Sequence, residues 1–134
     1  MSSLKVDNIT GRGNAGFTGS VKTEGGNTTT DLQQGLCKVW VNVGQASSYV
    51  ERDTFNLTTH QDISEGKSKL IFTNNFADAN HAASAMASNL NNLVGNDNDN
   101  FVQTSSAIQV GVYDASNAIQ DALYLTVSIH GDLA

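Results

Sequence analysis

The last third of the chain alternates apolar and polar side chains with a period of two. In ALYLTVSIHGD, Leu123, Leu125, Val127 and Ile129 fall on one face and Tyr124, Thr126, Ser128 and His130 on the other, as a half-buried strand requires. A strand so regular needs a second layer or a partner chain over its apolar face. GLCKVWVNVG repeats the pattern, with Cys37, Val39, Val41 and Val43 set against Lys38, Trp40 and Asn42, and predicts the first core strand. In SYVERDTFNLTTHQDI, Phe55 and Leu57 are spaced for one face; SKLIFTNNF sends Leu70 and Phe72 one way and Ile71 the other. EGK at 65 to 67 reads as a turn, which makes ISEGKSKLIF the best local hairpin. Two more strands are predicted over 104 to 113 and 122 to 130, with DASNAIQD between them as a turn or a single helical turn.

Two stretches carry weaker patterns. In ADANHAASAMASNLNNLVG the spacing of Ala82, Met86, Leu90 and Leu93 draws a short helix, while HAASAMA equally suits a strand of small residues where two layers approach. Propensity favours the helix and the neighbouring strands favour the strand. NLNNLVGNDNDNF reads as a long exposed loop from 89 to 100. At the other end, LKVDNI offers Leu4, Val6 and Ile9 as a short strand and then gives way to glycines at 11, 13, 16, 19, 25 and 26. Phe17 and Val21, the only apolar anchors of that tract, cannot offset the entropy of ordering so much backbone. Residues 1–31 are therefore expected to form an extended arm and residues 32–134 the compact domain.

Composition supports a strand-rich chain. Of 134 residues, 15% are charged, against about a quarter in an average domain. The polarity comes instead from Asn, Ser, Thr, Gln and Gly, which suits strands and turns better than surface helices. The net charge of -6 and only 7 Lys and Arg argue against a nucleic-acid partner. No apolar run is long enough to insert in a membrane, and MSSLKVDNIT lacks the apolar core of a signal peptide, so a soluble chain not exported by a classical route is expected. The single Cys37 rules out an internal disulfide and a cysteine metal cluster. Without any proline, turns fall to Gly, Asn and Asp.

Nothing in the sequence rises to an active site. GRGNAG neither follows a long buried strand nor opens an apolar-periodic helix, so it is not a phosphate loop. NDNDN lacks the order and the closing Glu of a calcium loop. His60, His81 and His130 are isolated in sequence, and only convergence in space, as on a trimer axis, would make them metal ligands. GxSxG is absent. Glu51 and Asp53 flank Arg52 as a local surface ion pair, worth about 0–1 kcal/mol, rather than as a glycosidase pair. No cofactor, metal or catalysis is expected. Trp40, on the more polar face of its strand, either covers a sheet edge or serves as an interface or ligand platform.

The succession KVWVNVG, RDTFNLTTHQDISEGKSKLIFTNNFADANHAAS and SSAIQVGVYDASNAIQDALYLTVSIHGD resembles a recurrent domain of tailed-bacteriophage virion appendages, especially marine ones, found in tail-fibre-like and head-decorating proteins. Trp40, Asn42, Arg52, Asn56, Phe72, the Asp-Ala-Asn at 78–80 and the closing Gly131 and Asp132 match its pattern. The resemblance covers about 36 to 132, and SSLKVDNITGRGNAG is similar to the short N-terminal lead of such proteins. The chain departs from the pattern in using SEGK for an Asn-Gly type turn, in lacking the proline before Asp-Ala-Asn, and in its enriched NDNDN loop.

The resemblance implies an all-β fold, an antiparallel β-sandwich, jelly-roll-like, carried on the glycine-rich arm and forming a homotrimer. It implies a virion structural protein, assembled in the host cytoplasm, that acts as tail fibre, tail tip or capsid decoration in host attachment. The arm would dock to tail or capsid proteins through Leu4, Val6, Ile9 and Phe17. Trp40, Tyr49, Asn96, Asp97, Asn98 and Asp99 are the candidates for outward contact with a host glycan or protein, the loops 44 to 50 and 89 to 100 being distal. Tyr124, Thr126, Ser128 and His130 are the candidates for the subunit interface. The alternative is a carbohydrate-binding module without virion attachment, which would show a groove lined by Trp40 or Tyr49 and polar side chains.

Overall fold

The computed structural model describes residues 20–22, 29–31, 35–46, 50–88, 93–95 and 102–134. The arm anchors Leu4, Val6, Ile9 and Phe17, and the loop residues Tyr49, Asn96, Asp97, Asn98 and Asp99, lie outside them. The chain divides into two compact units, Met1–Leu36 and Cys37–Ala134. In the first, β1 (Ser20–Lys22) pairs antiparallel with β2 (Thr29–Asp31).

The second unit is all-β and holds two antiparallel sheets. Its strands are β3 (Val39–Gly44), β4 (Val50–Phe55), β5 (Leu57–Ser64), β6 (Lys67–Phe72), β7 (Ala82–Ala87), β8 (Leu93–Gly95), β9 (Gln103–Thr104), β10 (Ala107–Tyr113) and β11 (Leu125–His130). One sheet runs β4-β3-β11-β7; the other runs β5-β6-β10-β8, with β9 also paired to β10. One buried cluster draws on both: Val39, Val41, Val43, Leu125, Val127 and Ile129 from the first, and Leu70, Phe72, Ile108, Val110 and Val112 from the second. Those residues are the apolar halves of the period-two pattern, so the alternation in the sequence selects the inner faces.

The chain passes from one sheet to the other at Asn56, whose φ of 58° lies in the left-handed region that Asn tolerates better than most residues. Its side-chain amide donates to the carbonyls of Lys38 (3.1 Å) and Asn74 (3.2 Å) and accepts from the Asn74 backbone N–H (2.7 Å). The switch separates Phe55 from Leu57: Phe55 is exposed, whereas Leu57 packs on the core. Their expected common face is thus broken by a dihedral that no spacing rule encodes. The ISEGKSKLIF hairpin forms as β5 and β6. Gly66 turns it at φ 65°, where a Cβ would also meet Ile119 at 2.6 Å and the Gln120 carbonyl at 2.7 Å, so only glycine fits.

One open reading closes and three further expectations change. The stretch that read as helix or strand is β7, with no helix at 82–87. Within the expected loop of 89 to 100, Leu93–Gly95 forms β8 on the edge of β10. The strand expected over 104 to 113 is a tight β9–β10 hairpin, because the chain turns at Ser105 and Ser106. The last strand starts at Leu125, since Ala122 takes the buried position and Leu123 stays exposed. Ala122 is held there by backbone bonds from Gln45 (2.9 Å) and Ala46 (3.3 Å) to its carbonyl. DASNAIQD is a turn built on Asp114, whose carboxylate accepts from the N–H groups of Ser116 and Ala118, the Ser116 hydroxyl and the Gln120 amide. These bonds hold its carboxyl below the usual range, the Ser116 hydroxyl foremost. Among the described residues no helix is long and apolar enough to cross a membrane.

Candidate functional site

The polar halves of β3 and β11 share the outer face of the four-stranded sheet with β4 and β7. The register aligns Phe55, Trp40, Ser128 and Ser84 in one row across it, and Asp53, Asn42, Thr126 and Met86 in the next. Residues directly opposite lie within side-chain reach. Trp40, Asn42, Ser84, Met86, Thr126 and Ser128 line a shallow groove of about 400 Å³. Its walls combine an indole and a thioether with three hydroxyls and an amide, and none of these side chains is charged. Trp40 remains 38% exposed, Phe55 52% and Met86 75%. Large apolar side chains left open beside hydroxyl and amide groups are the composition of recognition surfaces.

One end of the face is set by a bulge. Between Asn42 and Val43 the register moves from Asp53 to Glu51, which leaves Arg52 as the extra residue. Its guanidinium lies 4.1 Å from the centre of the Tyr124 ring, a cation–π contact. The ion pair expected of Arg52 with Glu51 and Asp53 gives way to this contact; Glu51 accepts from the Thr54 hydroxyl (2.8 Å) and Asp53 from the Thr54 N–H (2.9 Å). Tyr124 flanks a second hollow with Met86, Ser88 and Thr126.

The structure therefore brings Trp40 together with Thr126 and Ser128 and sets Tyr124 at the neighbouring hollow, although the sequence assigned the first to outward contact and the others to a subunit interface. His130 continues the same face opposite Ala82, half-buried. Ser84, Met86 and Phe55 belong to the face and were not expected there from the sequence, and Arg52, expected in a surface ion pair, joins them. Reading HAASAMA as a strand would have placed Ser84 and Met86 together; no local signal marks the bulge at Arg52.

Two further histidines lie elsewhere, His60 half-buried and His81 buried. His60 on β5 sits 2.9 Å from the Ser68 hydroxyl, which also accepts from the Gln45 amide (2.8 Å), while the Gln45 carbonyl accepts from the Ala122 N–H (3.1 Å). This polar tie joins the end of β3 to β5 and β6. Burial lowers the His60 pKa to about 4, against a smaller upward pull from Glu51. A serine beside a histidine invites a nucleophile reading, but Ser68 has no exposed surface, and the bonds account for it as structure. His81 stacks on Phe76 at 4.6 Å and meets Phe72 edge-on at 5.6 Å. Neither of its ring nitrogens reaches a partner at hydrogen-bonding geometry, though Asp78 lies near enough to favour the protonated ring; burial prevails and lowers the pKa. Among the described residues no three His, Cys, Asp or Glu side chains gather as metal ligands. Cys37 is half-buried and free, its thiol directed at the Val39 carbonyl, 3.0 Å away.

The chain matches no protein-family model, no curated protein and no solved structure.

Proposed function

We propose that the chain is a non-enzymatic virion structural protein of a tailed bacteriophage, a β-sandwich of jelly-roll-like form that docks by its N-terminal arm and presents its four-stranded sheet to the host surface. The observation that carries this reading is the open outer face of that sheet, where Trp40, Phe55, Met86 and Tyr124 stand among hydroxyl and amide groups. Leu4, Val6, Ile9 and Phe17 are the arm's anchors to tail or capsid proteins. Trp40 and Tyr124, being on one surface, both go to outward contact in this reading. Three copies per assembly is the number the sequence resemblance implies, and repeated copies would let weak contacts add to useful avidity. Labelling the protein on an intact particle tests the assignment. It should appear on a tail or head appendage and be lost from particles when residues 1–20 are deleted; normal incorporation of the truncated chain would refute the arm's role.

The groove at Trp40 favours a second reading, a carbohydrate-binding module without virion attachment. An indole beside uncharged hydroxyl and amide groups suits the apolar face and the ring hydroxyls of a neutral sugar. Glycan-array binding that Trp40→Ala abolishes, together with absence from particles, would select this reading.

A further inference from the structure

The two sheets present strand edges that differ in one respect. β4 carries Glu51, Arg52 and Asp53 and a bulge at Arg52. β5 carries Asp62 and two register irregularities. β8 and β9 are only 3 and 2 residues long. Short, bulged or charged edges resist pairing with another chain. β7, the six-residue edge AASAMA, has none of these devices: it is uncharged and pairs with β11 in unbroken register from Ala87↔Leu125 to Ala82↔His130.

Hydrogen bonds fix which of its backbone groups point outwards. The Ser88 N–H donates to the Tyr124 carbonyl (2.8 Å), and the Thr126 hydroxyl donates to the Met86 carbonyl (3.4 Å). Residues 88 and 86 thus face β11, and in an antiparallel pair the groups alternate from side to side. Ala83, Ala85 and Ala87 therefore aim their N–H and C=O groups away from the sheet, and among the described residues no strand pairs with them.

We propose that β7 is the contact between two copies of this chain, paired antiparallel about a two-fold axis at Ala85. Ala85 then exchanges both backbone bonds with its symmetry mate, and Ala83 does so with Ala87 of the second copy, while Ser84 stands opposite Met86. No like charges meet. The same operation on β4, centred on Arg52, sets Arg52 against itself and Glu51 against Asp53; like charges directly opposite are destabilising. Self-pairing is thus matched at one edge of the sheet and opposed at the other, and a second copy is the partner whose edge is uncharged at the matching positions. The pairing joins two four-stranded sheets into one and runs their outer faces together. It does not depend on the virion reading, and it replaces the three copies taken there by two or, where three such pairs assemble, by six.

Light scattering of the full chain during gel filtration tests it. A species of twice the 14.2 kDa chain mass, or an even multiple, is expected. Ala85→Pro removes the central outward N–H without removing a bond to β11 and should weaken association at least about tenfold, with cooperative melting retained. Because proline in a strand also costs folding on its own account, a second pair of variants is decisive. Ser84→Lys with Met86→Lys places ammonium groups opposite each other and should give monomers, as should Ser84→Glu with Met86→Glu; mixing the two should restore a heterodimer. A monomer at all concentrations, a trimer, or an assembly indifferent to these substitutions overturns the proposal and leaves the virion reading standing.

Discussion

β10 and β11 occupy equivalent central places in their sheets and present different outer faces. Both bury alternate aliphatic residues inwards: Ile108, Val110 and Val112 on one, Leu125, Val127 and Ile129 on the other. On β10 the outward positions Ala107, Gln109 and Gly111 are buried as well, whereas on β11 Thr126 is exposed and Ser128 half-buried. The five-stranded sheet closes part of its own back. The Tyr113 ring lies over Gly111, 2.8 Å from where a Cβ would stand. The four-stranded sheet leaves its back open around Trp40. A protein with one self-covered and one open sheet face has one side built for packing and one available for contact.

Substitutions can break that comparison at graded levels. The inner faces should respond alike and most strongly: Leu70→Ala and Leu125→Ala should each cost about 2–5 kcal/mol in urea unfolding, because both leave cavities in one core. The outer faces should then diverge. Gly111→Val forces the Tyr113 ring out and should cost about 1–3 kcal/mol, whereas Ser128→Val at an equivalent outward position should stay within about 0.5 kcal/mol. Equal costs at the two would show that the open face is covered.

Acid tests the polar tie between the sheets. The pKa of His60 is lower folded than unfolded, so below about pH 6.5 the unfolded chain binds more protons. Its contribution is complete above that pH and is lost as pH falls towards about 4. For a half-buried ring this amounts to on the order of 1–2 kcal/mol after allowance for solvent screening. His81, also lowered by burial, acts in the same direction. Asp78 and Asp114, held low by hydrogen bonds, withdraw their contributions only at still lower pH. Melting followed from pH 7 to 4 should show the loss, and His60→Gln should flatten it. Trp40→Ala is expected to cost little stability, under about 1 kcal/mol by melting, with loss of surface or glycan binding as its main result.

Much of the fold is legible in the chain. Val39, Val41, Val43, Leu70, Phe72, Val127 and Ile129 declare their inner faces because a period of two is a local property of a strand. The hairpin at Gly66 is legible for the same reason, its partners being neighbours in sequence. The site is legible in part: Trp40, Thr126 and Ser128 were named, but not as one surface. Ser84 and Met86 were hidden by alanines that helix propensity claims, and β11 overrides that propensity by pairing along the whole of β7. Leu123 obeyed the alternation in sequence yet lost its place to Ala122, which Gln45 holds from a distant strand.

The amino-acid order by itself determined the central strands, their apolar sides, the shortage of charge and the tryptophan set among polar neighbours, since each follows from local spacing and composition. Tertiary structure alone decided that β3 lies between β4 and β11, that Asn56 carries the chain from one sheet to the other, and that one sheet back is covered while the other is not. Those outcomes depend on which distant strands meet. Pairing energies between remote segments are fixed by the whole set of competing partners, and no short stretch of sequence contains them.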